Sequence, residues 1–144
     1  MSRVSTYLNF PGTAEEAFRF YEKVFGTEIS GEIFRMSAMA DPNGPALSDA
    51  EQNLVGHAEL PILAGHVLMA TDVVASLGQQ LQIGNNVTIN LEPDSKAETD
   101  RLYAALSEGG SDSTGMMDVP WGYWGCTLDR YGVRWMFNYA PTAS

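Results

Sequence analysis

The chain has little with which to bind by charge or to cross-link itself. In 144 residues it carries one cysteine, two histidines, and eight Lys and Arg against eighteen Asp and Glu. A single thiol, Cys126, cannot close an internal disulfide, which suits a reducing compartment. With no activating motif beside it, Cys126 reads as a buried structural thiol rather than a nucleophile. The formal net charge of −10 repels nucleic acid and anionic membrane surfaces, so neither is an expected partner. No apolar run is long enough for a signal peptide or a bilayer span, which predicts a cytoplasmic protein. Glycine-rich phosphate loops, G-x-S-x-G elbows, C-x-x-C pairs and H-E-x-x-H motifs are all missing.

What is present is a globular composition with an internal repeat. The 44% hydrophobic and 10% aromatic content supplies a core, and this length suits one domain. "TYLNFPGTAEEAFRFYEKVF" begins at Thr6 and "TINLEPDSKAETDRLYAALS" at Thr88, an offset of 82. At that offset Thr13 matches Ser95, Glu16 matches Glu98 and Tyr21 matches Tyr103. Thr13/Glu16 and Ser95/Glu98 each spell a capping box, in which a hydroxyl and a carboxylate satisfy free amides at a helix start. Apolar residues at helical spacing follow: Ala14, Ala17, Phe18, Tyr21 and Phe25, then Thr99, Leu102, Tyr103 and Leu106. Each copy reads as a strand, a Pro-containing turn and an amphipathic helix.

The strands behind the helices also repeat. "LPILAGHVLMATD" resembles "TLDRYGVRWMFNY", and Ala64-Gly65 and Tyr131-Gly132 predict two-residue hairpin turns. "TEISGEIFRMSAM" and "GSDSTGMMDV" supply one further extended segment per half. The fold class is therefore α+β: two tandem β-α-β-β-β modules, about 3–72 and 87–140, joined by a linker over 73–86. The first module carries an insert over residues 40–56, a loop in which Ser48 and Glu51 cap one helical turn. Such a loop either covers a pocket or bridges two strands.

The order of "YLNFPGTAEEAFRFYEKVFG", "HAELPILAGHVLMATD" and "WGYWGCTLDRYGVRWMFNY" resembles the vicinal oxygen chelate superfamily of glyoxalases, bleomycin-binding proteins and dioxygenases. More narrowly, it is similar to the PhnB-like branch. The resemblance implies a cupped mixed sheet with helices on its outer face, a homodimer, and a small-molecule pocket between modules. Metal-dependent members take ligands from the first and last strands of each module. Laid on this chain, those positions become Thr6, Met69, Thr88 and Met136, or Tyr7, Ala70, Ile89 and Phe137 if each strand slips by one. Neither set offers imidazole, carboxylate or thiolate donors, so no cofactor is expected. One label within the branch is that of a demethylubiquinone methyltransferase, and nothing in the chain resembles a cofactor-binding methyltransferase motif.

The histidines remain. A two-residue turn at Ala64-Gly65 sets Leu63 opposite His66 and His57 opposite Asp72. That puts His57, Glu59, His66 and Asp72 on one face of the hairpin and Met69 on the other. His66, beside the turn, reads as solvated. His57 and Asp72 form a structural pair, and the rebuilt divalent-metal site His57, Glu59 and Asp72 is the less favoured alternative. Expected pocket walls are Phe10, Phe34, Met36, Met69, Trp121, Tyr123 and Trp124, with Met39, Met116 and Met117 as deformable lining. Gly122 and Gly125 allow close approach of backbone or ligand. The leading reading is a metal-free protein that binds a small, partly apolar molecule. The alternative is a lyase or isomerase with His57 as acid and base; a third is a dimer whose cavity is vestigial.

Overall fold

A computed structural model describes residues 1–141 of the chain. It divides into two compact units, Met1–Gln82 and Ile83–Ser144. The first contains β1 (Thr6–Phe10), α1 (Ala14–Phe25), β2 (Phe34–Arg35), α2 (Asp49–Gln52), β3 (Val55–Pro61) and β4 (Val67–Asp72). The second contains β5 (Ile89–Leu91), α3 (Lys96–Ser107), β6 (Met117–Val119), β7 (Gly122–Leu128) and β8 (Arg134–Tyr139). The sheets run β1-β4-β3-β2 and β5-β8-β7-β6, so each unit repeats one topology. First and last strands pair in parallel and the rest antiparallel, which makes both sheets mixed.

One helix covers one face of each sheet. Along α1, Ala14, Ala17, Phe18, Tyr21 and Val24 are buried at the spacing that draws a single stripe. They pack on Phe10, Leu60, Leu68 and Ala70, all at most 1% exposed. Each side chain the size of Phe18 contributes about 2–3 kcal/mol on burial. In the second unit Leu102 and Leu106 of α3 lie in the core with Trp135 and Phe137. The insert holds α2, and Ser48 and Glu51 form the expected reciprocal capping box.

The other two helix starts depart from the sequence pattern. Ser95 does accept from the Glu98 amide at 3.1 Å, but the Glu98 carboxylate turns to Arg101. Thr13 makes no side-chain cap at all. The Asp72 carboxylate takes its place, accepting N–H from Gly12 (3.1 Å), Ala14 (2.9 Å) and Val55 (2.9 Å). A buried carboxylate with three amide donors outcompetes a threonine hydroxyl, because charge-assisted bonds are about twice as strong as neutral ones.

Both hairpins are one residue longer than expected. Ile62 N–H donates to His66 C=O at 2.7 Å, and Asp129 N–H to Val133 C=O at 2.9 Å. The loops are thus Leu63-Ala64-Gly65 and Arg130-Tyr131-Gly132, each with its glycine third and left-handed, φ 76° and 88°. Three-residue hairpins need a left-handed residue at that place, and Ala64 at φ 56° shares the conformation. The strands therefore pair with Ala58 opposite Ala70 and Glu59 opposite Met69. A slip of one residue turns side chains over. His57, Glu59 and Met69 share the face away from α1, whereas Asp72 and His66 lie on the helix side. His66 is not simply solvated, since its Nε2 lies 2.8 Å from Thr6 Oγ1.

The close approaches expected at Gly122 and Gly125 are made by the chain's own atoms. A Cβ on Gly125 would sit 2.5 Å from Met116 Sδ and 2.9 Å from the Gly115 carbonyl oxygen, and one on Gly122 2.6 Å from the Tyr139 oxygen. Three substitutions test the Asp72 bonds, the place of His57 and the glycine contacts. Asp72→Ala strands three amides and should cost about 3 kcal/mol by urea denaturation, while His57→Ala should cost under about 1 kcal/mol. Gly125→Ala should cost about 1–3 kcal/mol through overpacking against backbone.

Candidate functional site

Pairing defines the open face of the first sheet. Tyr7 lies opposite Met69 and Asn9 opposite Thr71, Glu59 opposite Met69, and Phe34 opposite His57. All therefore project from the face that α1 leaves uncovered. There Tyr7 Oη lies 3.1 Å from His57 Nδ1, with the rings 5.7 Å apart, and His57 Nε2 lies 3.1 Å from Glu59 Oε2. Arg3 Nη2 stands 3.8 Å from Glu59 Oε1, and Ser5 Oγ donates to Met69 Sδ at 3.7 Å. Burial, and then the negative charge of Glu59, push the Tyr7 phenol above its ordinary pKa.

His57 thus finds Glu59 and Tyr7 rather than Asp72. The expected His57–Asp72 pair is not formed, because Asp72 points into the core at 2% exposure and spends both oxygens on amides. For the same reason His57, Glu59 and Asp72 do not converge as a metal site. Met69, expected opposite to His57, shares its face. His57 and Glu59, two residues apart on one strand, were legible as neighbours; Tyr7 was not, for nothing local links it to His57.

The open face of the second sheet differs in chemistry. Asn90 and Cys126 both lie opposite Met136, and Trp124 lies opposite Asn138. Trp121 Nε1 donates to Asn138 Oδ1 at 3.1 Å, and Asn138 Nδ2 to Asn90 Oδ1 at 2.6 Å. Trp121 is 64% exposed. Cys126, expected to be buried, is half-buried on this face, and burial raises its thiol pKa although Arg134 opposes it. Tyr123 does not join these aromatics. It faces α3, where it donates to Asp100 at 2.5 Å beneath the Lys96 ammonium, and the Asp100 bond pushes its phenol up to about 12. Phe10 is no pocket wall either: it is 1% exposed and meets Phe18 edge to face in the core.

Register shows which residues of the first and last strands of each unit face the open side. The open-face residues of β1 and β4 include Tyr7, Asn9, Met69 and Thr71; those of β5 and β8 include Asn90, Met136 and Asn138. Phenol, amide, thioether and hydroxyl do not fit a divalent cation as a first shell. Among the described residues, no group of three or more His, Cys, Asp or Glu side chains is placed to hold a metal.

An apolar cavity of about 280 Å³ lies in the first unit, lined by Met36, Met39, Pro45, Leu47 and Leu77 together with Asp41. The insert builds most of it, and Met39 Sδ occupies the space that a side chain on Gly56 would take. Arg35 anchors one end of the insert to Glu15 of α1 (2.8 Å). Glu51 anchors the other, accepting from Ser76 Oγ (2.6 Å) and Ser76 N–H (3.2 Å). These bonds, with those from Ser48, lower the Glu51 carboxyl to about 2. Met36 and Met39 were legible as lining, though of a pocket between modules rather than of this cavity within the first unit. Leu47 and Leu77 were not, since each is a lone apolar residue in a polar stretch.

The architecture of each unit, one helix over a four-stranded mixed sheet, is that of a glyoxalase-like fold. A glyoxylase/bleomycin resistance protein/dioxygenase domain from Frankia sp. EAN1pec shares the fold, at 12% identity and TM-score 0.60 over 97% of this chain and 96% of that one. Residues 2–137 match the 3-demethylubiquinone-9 3-methyltransferase family, and the chain belongs to it. It is similar to protein PA1353 of Pseudomonas aeruginosa, at 30% identity and TM-score 0.82 over 98% of this chain and 99% of that one. A PhnB protein of Bacillus cereus, itself described as a putative member of that family, aligns at 27% identity and TM-score 0.74 over 96% and 100%. Protein YjdN of Escherichia coli K12 is 26% identical over 94% of this chain and 93% of its own.

The Glu51 anchor generates a pH prediction. Its folded pKa lies below the ordinary carboxyl value, so its contribution is present above that value and is lost as pH falls toward 2. By NMR, the Ser76 amide should titrate with a midpoint near 2. Glu51→Gln should abolish that titration.

Proposed function

We propose that the chain binds a small, partly apolar molecule without the divalent cation of the metal-dependent branches of its superfamily. One observation carries the reading: the open-face positions on the first and last strands of both units hold phenol, amide, thioether and hydroxyl groups. In their place the open face of the first sheet offers Phe34 and Met69, and that of the second Trp124 and Met136, apolar surface beside a few polar groups, which is the usual character of a ligand site. Sequestration of the kind seen in bleomycin-binding relatives needs nothing more. The homodimer and the cytoplasmic location that the sequence leads one to expect belong to the same proposal.

The family's name implies methyl transfer, and the chain does not fit a nucleotide-type methyl donor. The turn from β1 into α1 reads Pro11-Gly12-Thr13, without the glycine-rich spacing that admits such a group. The amides of Gly12 and Ala14, which would meet an anionic portion of the donor, already bond Asp72.

Titration with a library of hydrophobic small molecules should shift tryptophan fluorescence through Trp121 and Trp124, since Trp135 is fully buried. After chelation, adding Zn²⁺, Ni²⁺, Mn²⁺ or Fe²⁺ should leave the Tm unchanged. A metal-dependent rise that vanishes in His57→Ala would overturn the metal-free reading, and silence across the library would overturn the binding reading.

A further inference from the structure

We propose that Tyr7, His57 and Glu59 form a proton-exchange site for a phenol- or enol-type hydroxyl on the bound molecule. This rests on the binding reading above, since a ligand must reach the open face of the first sheet. The direction of the hydrogen bonds is fixed by donor inventory. An ionised carboxylate only accepts, so the 3.1 Å contact to Glu59 requires the proton on His57 Nε2. Neutral imidazole then offers its lone pair at Nδ1, and the Tyr7 hydroxyl, 3.1 Å away, donates to it. The chain runs from a half-exposed phenol through an imidazole to a carboxylate, each proton pointing inward. A carboxylate behind an imidazole sets its tautomer and stabilises the imidazolium, the logic of acid–base triads.

The step balances without any co-reactant. A ligand hydroxyl donates to Tyr7 Oη. Its O–H bond breaks as Tyr7 Oη gains that proton and passes its own to His57 Nδ1. The products are a ligand oxyanion hydrogen-bonded to a neutral Tyr7 and an imidazolium paired with Glu59. Tyr7 acts as a relay rather than as a resident phenolate, in keeping with the burial and the Glu59 charge that disfavour its ionisation. The hydroxyl class follows from matching acidities. Carboxylic acids arrive ionised and need no base, while aliphatic alcohols hold the proton too tightly for imidazole.

The surroundings suit such a ligand. Phe34, half exposed, lies opposite His57, and Met69 lies opposite both Tyr7 and Glu59, so apolar surface flanks the polar chain. The other charged group at this site is Arg3, against Glu59. β4 contributes Met69 and Thr71 to this face, neither of which titrates. Arg35, next to Phe34, is held by Glu15, while His66 and Asp72 occupy the opposite face.

The test uses 4-nitrophenol, whose absorbance separates phenol from phenolate. Bound to the wild-type chain, it should ionise at a lower pH than free in solution. Tyr7→Phe should weaken binding about tenfold, the loss of one hydrogen bond to a charged group, and should abolish the shift. His57→Gln should abolish the shift while the Tm stays near wild type, and Glu59→Gln should diminish it. Equal affinity and ionisation in wild type, Tyr7→Phe and His57→Gln would overturn the inference and leave the binding reading standing. So would indifference to 4-nitrophenol in a chain whose tryptophan fluorescence responds to other library members. A chain silent to the entire library fails both.

Discussion

The Asp72 carboxylate is the constraint on which the first unit depends. Its three bonds join the end of β4 to the start of α1 and the start of β3, segments separated by 17 to 60 residues of chain. Sliding β4 by one residue along either neighbour would strand a buried charge and three amides, a cost of several kcal/mol. With Asp72 held inward, Leu68 and Ala70 must also face α1, and Met69 and Thr71 must face away. Pairing then carries that parity to Tyr7 and Glu59. The second unit has a comparable buried carboxylate in Asp129. It accepts from the amides of Tyr131 and Val133 and from Trp135 Nε1, and so fixes the loop between β7 and β8.

What the sequence revealed and what it concealed follow from the range of the interactions. The repeat, both long helices, the capped turn at Ser48 and the hairpin glycines are written in local periodicity and turn chemistry. All four are present in the structure. The face of His57 turned on a single residue of loop length, and Ala-Gly before a strand is compatible with two. The bond from Ile62 N–H to His66 C=O and the pairing of Pro61 with Val67 decide for three. Thr13 spelled a cap as clearly as Ser95 did, yet it lost to a carboxylate from the far end of the unit. Phe10 and Trp121 are equally apolar in sequence, but one lies beneath a helix and the other in solvent. Local pattern carries no information about that difference.

The two open faces differ in chemistry although the two sheets share one strand order. At matched registers, Met69 pairs with Tyr7 in the first unit and Met136 with Asn90 in the second. A divalent cation needs three or four imidazole, carboxylate or thiolate ligands. No single substitution at these positions would supply them. The open face of the first sheet carries Tyr7, His57 and Glu59, whereas that of the second carries Asn90, Asn138, Trp124 and the Cys126 thiol.

Asp72 also bears on the activity named by the family. A helix start that opens from a strand through a glycine turn presents free amides to an incoming anion, and many nucleotide sites use them. Here the protein satisfies those amides from within, with a side chain it also needs to set strand register. Freeing them for a ligand would require withdrawing Asp72, and with it the bond that places β3 against β4. Register and anion binding therefore compete for one carboxylate. Because register is what brings Tyr7, His57 and Glu59 to a common face, the chain has its polar chemistry on the open sheet rather than at the helix start.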